Sequence, residues 1–313
     1  MVTILTSHSK IWCPEHTAID IIKEYQEHGR VVINLNAEGP CADSVGLYSL
    51  LDYLCNQLSI KKNCITIETF NFEEAHPEYN IVRRPQHWFK SIIPEFDLLN
   101  FTPNKHVQHN LFGCLYNVPS WDRLCILTHA HKLTSQSLLH CNGTYVPHSY
   151  NTYYLDSLID YAPDELFSVV EYLKTQPTAA LDNTEIKPVM PFDLMRVTGL
   201  YNHFFIDIVA ETYTHGLSFF VTEKTIRPML TLTPFIVQGP QGFLSTLKSD
   251  YGIQTFDRWW DESYDRAQNY DRVQKIYELM TTLDQLTAEQ RIQMYEEMQP
   301  VLHHNQKRIR ELQ

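Results

Sequence analysis

Glycine is scarce, with 10 in 313 residues, and the chain shows no internal repeat. That excludes collagen-like, elastic and low-complexity architectures. There is no Cys-x-x-Cys. The seven cysteines, Cys13, Cys41, Cys55, Cys64, Cys114, Cys125 and Cys141, are odd in number and widely spaced. Such a set argues against a disulfide framework and a structural zinc knuckle, and most of these thiols are expected to be reduced, buried and inert. No apolar run approaches the roughly 18 residues of a membrane span. The N-terminus lacks the charged and apolar regions of a secretory signal. A cytoplasmic protein with no membrane partner is therefore expected, and the sequon at Asn142 carries no weight.

What is present fits a folded protein. Apolar residues make up 43% and charged residues 20% of the chain, enough apolar surface to offset chain entropy. At about 150 residues per domain, the length predicts two domains or one large one. The 25 basic and 37 acidic residues leave a net charge of −12, which is wrong for non-specific binding to nucleic acid. A local basic groove is still compatible with that total.

Apolar periodicity alternates between strand and helix. Val2–Thr6, Val31–Leu35 and Cys64–Phe70 read as strands. Thr17–His28 and Ser44–Leu58 read as helices, the second with Val45, Tyr48, Leu51, Leu54, Cys55 and Leu58 on one stripe. Residues 76–109 hold four prolines and read as irregular. Leu111–Tyr116 is a strand, followed by a helix that Ser120 is placed to cap. Another helix opens at Pro163. The proline-rich stretch 175–193 reads as a linker. Beyond it, Phe204–Val209 and Pro234–Val237 are strands, each followed by a helix; Asp265–Leu283 is a long helix, and Thr287 with Gln290 forms a capping box for the last. The alternation predicts an α/β fold with parallel sheets, with strand-end loops gathered on one rim.

One stretch concentrates chemistry: Phe219-Phe220-Val221-Thr222-Glu223-Lys224, then Pro234-Phe235-Ile236-Val237-Gln238-Gly239-Pro240. A Thr-Glu-Lys at a helix mouth places a cation and an acceptor beside backbone N–H groups, which suits a phosphate and ribose hydroxyls. A capping Thr beside a surface ion pair accounts for the same three residues.

The stretch resembles the donor-binding motif of α1,3-fucosyltransferases, especially the fucosyltransferase-like proteins of large phages and giant viruses. The resemblance covers residues 203–265 best, including Phe256-Asp257 and Asp261-Glu262-Ser263-Tyr264-Asp265. It extends more loosely over 31–133, through Asn36–Pro40 and Pro119–Leu124. It implies a GT-B fold, two Rossmann-like lobes with a cleft between them and a C-terminal helix. The lobes are expected at 1–175, on the acceptor side, and 196–313, on the donor side, with 176–195 as linker. It further implies that Glu223 binds the donor ribose, that Lys224 and Arg123 bind the diphosphate, and that Glu211 is the acidic residue facing the cleft. Thr222 belongs to the motif. Phe220 stands where the family has Tyr; its ring can still stack on a base or sugar, but the hydroxyl contact is lost.

The expected activity is transfer of a sugar from a nucleoside diphosphate sugar, GDP- or UDP-linked, to an acceptor hydroxyl. The resemblance implies inversion at the anomeric carbon and no cofactor beyond the donor. The chain has no Asp-x-Asp, in keeping with a site that uses no metal. Glu38, in a loop held by Gly39 and Pro40, is the candidate base, though a solvated loop carboxylate fits equally; His8 and His76 are fallbacks. The acceptor is a glycan, a small molecule or a hydroxymethylated base in phage DNA, and in the viral case the site of action is the host cytoplasm. A nucleotide-binding protein that kept the fold without catalysis is the remaining alternative. Weaker candidates are the Gln238–Gly242 turn as a phosphate cradle, Trp259-Trp260 as a sugar platform, and the basic end of the last helix as a nucleic-acid contact, against ordinary roles in a turn, in packing and in helix electrostatics.

Overall fold

Valines and isoleucines at alternate positions set up the first sheet. In the computed structural model, β1 (Val2–Thr3) leads into a hairpin of β2 (Thr6–Ser7) and β3 (Lys10–Ile11), then α1 (Pro14–His28), β4 (Val31–Leu35), α2 (Leu47–Leu58), β5 (Ile65–Thr69) and β6 (Asn80–Arg83). The structure describes residues 1–3, 6–7, 10–11, 13–35, 41–69, 71, 74–83, 88–105, 109–116, 119–141, 152–175, 197–214 and 219–312. Strands β1, β4, β5 and β6 lie side by side in that order, all parallel. Val31, Ile33, Leu35, Ile65 and Ile67 are buried, and the residues between them are half-buried. They pack with Ile21 of α1 and Leu47 and Leu51 of α2. Each such aliphatic side chain contributes about 1.5–3 kcal/mol by burial. Both helices start or stop at glycines with positive φ, Gly29 at 66° and Gly46 at 77°, where a Cβ would be strained.

The second sheet belongs to a different unit. Its chain runs α3 (Trp88–Leu98), β7 (Asn110–Tyr116), α4 (Trp121–Lys132), β8 (Leu138–Cys141), α5 (Thr152–Tyr161), α6 (Leu166–Thr175), β9 (Phe204–Ala210), α7 (Glu223–Leu230), β10 (Phe235–Gln238), α8 (Phe243–Tyr251), α9 (Asn269–Asp284) and α10 (Ala288–Glu311). The strand order is β10-β9-β7-β8, again all parallel. Every residue of β9 and β10 is buried, the pattern of strands covered on both faces. Helices α5, α6 and α9 pack with α4; α3 and α10 pack with α7. From β7 the chain steps outward through α4 to β8. It returns to the other side of β7 to form β9, then steps outward through α7 to β10. Right-handed crossovers taken in opposite directions put α4 and α7 on opposite faces, and the winding reverses between β7 and β9. At that seam Gly113 leaves room for the Phe204 ring, which a Cβ there would meet at 2.6 Å.

The expected boundary is corrected. One compact unit is Met1–Gln86 with Thr212–Phe220 and Gly239–Gln241; the other is His87–Glu211, Val221–Gln238 and Gly242–Gln313. Residues 87–175 thus belong with the C-terminal half, because β7 hydrogen-bonds to β9 rather than to the first sheet. The expected linker, 176–195, lies outside the described residues. Part of the stretch read as irregular holds β6 and α3. Pro94 inside α3 removes one helical hydrogen bond, yet the helix persists because Ile92, Ile93 and Phe96 bury its face. Ser120 does not cap α4; its hydroxyl turns to the Asp122 carboxylate. The capping box on α10 forms as expected, Gln290 N to Thr287 Oγ1 at 3.2 Å and Thr287 N to Gln290 Oε1 at 2.8 Å. Cys55, Cys114, Cys125 and Cys141 are buried and joined in no disulfide, and burial pushes the thiol of Cys141 up to about 12. None of the described helices is long and apolar enough to cross a membrane.

Candidate functional site

Thr222 begins α7 in extended geometry, and its hydroxyl organises the turn. Oγ1 accepts from Lys224 N at 3.2 Å and from Lys224 Nζ at 3.1 Å, and donates to Glu211 Oε2 at 2.5 Å. Glu211 follows β9 directly. Its other oxygen accepts from Thr222 N at 3.1 Å and from the Thr225 hydroxyl. The Glu211 carboxylate, 1% exposed as a residue, therefore holds the first turn of α7 against the end of β9. Arg123 completes the clamp: its guanidinium donates to the carbonyls of Ala210 at 3.1 Å and Glu211 at 3.0 Å, and it lies over the Tyr116 ring.

Glu223 and Lys224 project from this braced turn. Glu223 Oε1 meets Arg227 Nη2 at 3.2 Å and Lys224 Nζ at 3.6 Å. Both ion pairs use Oε1, which leaves Oε2 outside them. Burial works against the Glu223 charge, but Lys224 and Arg227 outweigh it and hold the carboxyl below the usual range. The residue is an anion with a hydrogen-bonding oxygen to offer, as ribose hydroxyls require.

A water-sized cavity of about 10 Å³ opens at the C-terminal ends of β7 and β9, where the winding reverses. Lys224, Arg227, Tyr116, Tyr201 and Asp207 line it with the β9 backbone. In open α/β sheets this is where ligands bind. Asp207 is 3% exposed and accepts a 2.8 Å hydrogen bond from the Tyr201 hydroxyl. Burial pushes its carboxyl up to about 7, against the pull of Tyr201, Arg227 and Lys105. Lys105 donates to the Tyr201 carbonyl and the Thr233 hydroxyl, and burial pulls its ammonium down to about 7. Cations and acceptors thus sit together in a poorly hydrated place, where charge interactions are strong.

The second unit brings together Arg123, Glu211, Thr222, Glu223 and Lys224. Within that set Glu211 and Arg123 bind backbone and hydroxyl groups, so their described contacts brace the motif. Phe220 is 2% exposed and belongs with the first unit, in the segment Thr212–Phe220 that Asn71 Oδ1 holds through Phe219 N at 3.1 Å. Glu38 and His8 lie outside the described residues. His76 is corrected as a fallback base: its Nδ1 accepts from Glu78 N at 3.2 Å, which leaves the neutral ring with its proton on Nε2.

At the Gln238–Gly242 turn, Gly242 and the helix that follows spend N–H groups within the protein. The N–H groups of Leu244 and Ser245 at the start of α8 are taken by the Asp265 carboxylate, at 2.9 and 3.1 Å, and Gly242 N by the Asp265 carbonyl. In the same motif Glu262 accepts from Phe256 N and the Thr255 hydroxyl. Trp260 is buried against Phe256, and Trp259 Nε1 reaches Glu297 at 3.3 Å, which is the packing role rather than the platform. At the basic end of the last helix, Arg308 donates to the Tyr251 carbonyl and Arg310 pairs with Asp97.

Sequence reasoning missed Arg227, Asp207, Tyr201 and Lys105. Two signals were available. Arg227 is four residues past Glu223, the spacing of a helical ion pair. Asp207 is the only charged residue in the strand run Phe204–Ala210, where a carboxylate must be buried. Compared with known proteins, the chain matches no family model and no curated sequence.

Proposed function

We propose that the chain is a glycosyltransferase of the GT-B class, transferring a sugar from a nucleoside diphosphate sugar to an acceptor hydroxyl without a metal and with inversion. One observation carries the reading: Glu223 and Lys224 are braced by Glu211 and Thr222 beside a cavity at the point where the second sheet reverses its winding. Two parallel sheets in two units are compatible with that class. In the reaction the bond to the leaving phosphate breaks ahead of attack, and negative charge grows on the diphosphate. Lys224 stabilises that charge electrostatically, and loss of such a donor costs ~3 kcal/mol, about a hundredfold in rate. Glu223 takes the ribose hydroxyls through Oε2. The acceptor proton is assigned to Glu38, and Phe220 leaves the base preference between GDP and UDP open to measurement.

The test is a thermal-shift and turnover screen with GDP, UDP and their sugars. Binding at a hundredfold excess over Kd stabilises by ~2.7 kcal/mol. Lys224→Ala and Glu223→Ala should each abolish the ligand-dependent shift while the unliganded protein still melts cooperatively. If both variants bind nucleoside diphosphate as tightly as the parent, the site is misassigned. Binding without transfer to any acceptor would instead mark a nucleotide-binding protein that has no turnover.

A further inference from the structure

We infer that Arg227 is a second cation of the diphosphate site, one that the Thr-Glu-Lys motif does not contain; the inference rests on the reading above. Arg227 lies three residues past Lys224 on α7, on the same helical face, and both line the cavity at the winding reversal. It is 8% exposed, so its charge acts in a medium of low polarity. Its Nε donates to the Glu223 carbonyl at 3.3 Å and its Nη2 to Glu223 Oε1 at 3.2 Å. Among the described residues, Nη1 has no hydrogen-bond partner.

Arg227 pairs with Glu223 Oε1, the same oxygen that lies 3.6 Å from Lys224 Nζ, so the two cations stand on either side of one carboxylate oxygen. Asp207 lines the same cavity and accepts its described hydrogen bond from Tyr201, which leaves Nη1 of Arg227 outside that contact. A planar guanidinium with an unfilled N–H edge binds a phosphate through two N–H groups, which an ammonium cannot imitate. Lys224 supplies a point charge, and Arg227 supplies the fork.

The experiment measures Kd by calorimetry for UDP, GDP, inorganic pyrophosphate and the nucleosides uridine and guanosine, on the parent, Lys224→Ala, Arg227→Met and Arg227→Lys. Arg227→Met should weaken UDP, GDP and pyrophosphate about tenfold or more, the loss of one charged hydrogen bond. Arg227→Lys should recover part of that loss by restoring the charge without the fork. Nucleoside affinity should fall by much less than diphosphate affinity, only through the Glu223 contact, whereas a purely structural role of Arg227 would weaken both alike. If Arg227→Met fails to fold, Arg227→Lys must still bind diphosphates more weakly than the parent, with nucleosides less affected. The inference falls if either folded variant binds UDP, GDP and pyrophosphate like the parent, or loses nucleoside and diphosphate alike. Parent protein that binds none of the diphosphates overturns the proposed function itself. Loss of binding in Lys224→Ala but not in the Arg227 variants overturns only this inference.

Discussion

Asp207 is a carboxylate in a strand whose other side chains are apolar, and its environment makes it the pH-sensitive residue beneath the site. Its pKa stands at about 7 in the folded chain against 3.8 for the ordinary residue. Between these values the folded state keeps a proton that the unfolded state releases, so this residue's contribution to stability declines as pH rises across the window, by up to ~1.4 kcal/mol per unit. Asp207→Asn keeps the Tyr201 partner and removes the titration. The parent's urea midpoint, compared with the variant's from pH 4 to 7, should therefore fall relative to it; parallel profiles would show that Asp207 is not held protonated. Lys105 has the opposite sense: its pKa of about 7 lies below the ordinary 10.5, so its contribution improves as pH rises through that interval. Glu223 and Lys224 were legible as chemistry because their meaning is local to one helix turn. Asp207 and Lys105 were not, since a lone Asp or Lys gains its significance from residues a hundred positions away.

Helix ends show the same division. The capping box of α10 spans three residues and was readable from its letters. The start of α8 is capped from 21 residues downstream by Asp265, whose carboxylate also faces Arg272 at 3.6 Å with both side chains almost fully buried. Asp265→Ala removes two N–H acceptors and the 3.6 Å ion pair of the buried Arg272 guanidinium. A loss of ~3–5 kcal/mol in urea unfolding is expected, with Asp265→Asn milder because it retains a cap acceptor. A loss below ~1 kcal/mol in Asp265→Ala would mean that the pair does not hold this end of the unit. The Asp-Glu-Ser-Tyr-Asp motif, part of the stretch that resembles a donor-binding half, braces α8 and the turn before it. In α3 the reverse happened: Pro94 argued against a helix, and the burial of Ile92, Ile93 and Phe96 overrode it.

At the scale of the molecule, the alternation of strands and helices was legible except at β6, α3, β8 and α5, and two parallel sheets were the outcome. The assignment of strands to sheets was not, because Leu111–Tyr116 reads equally well as the fourth strand of either half. The chain leaves the second unit after Glu211, contributes Thr212–Phe220 to the first, and returns at Val221, one residue before the capping Thr222. On the proposed function, saturating UDP or GDP should slow amide exchange over Thr222–Leu230 and at Leu115–Tyr116. Protection confined to Val31–Leu35 and Ile65–Thr69 would move the site to the first unit.

By itself the order of residues determined the α/β class, the helix that opens at Thr222 and the pair Glu223–Lys224, because periodicity and capping act over a few positions along the chain. Only the tertiary structure decided that β7 lies beside β9, that the winding therefore reverses at that seam, and that Arg227, Asp207, Tyr201 and Lys105 gather beneath it. Strand pairing is a contest between distant segments of similar apolarity, and its outcome rests on packing that no local pattern encodes.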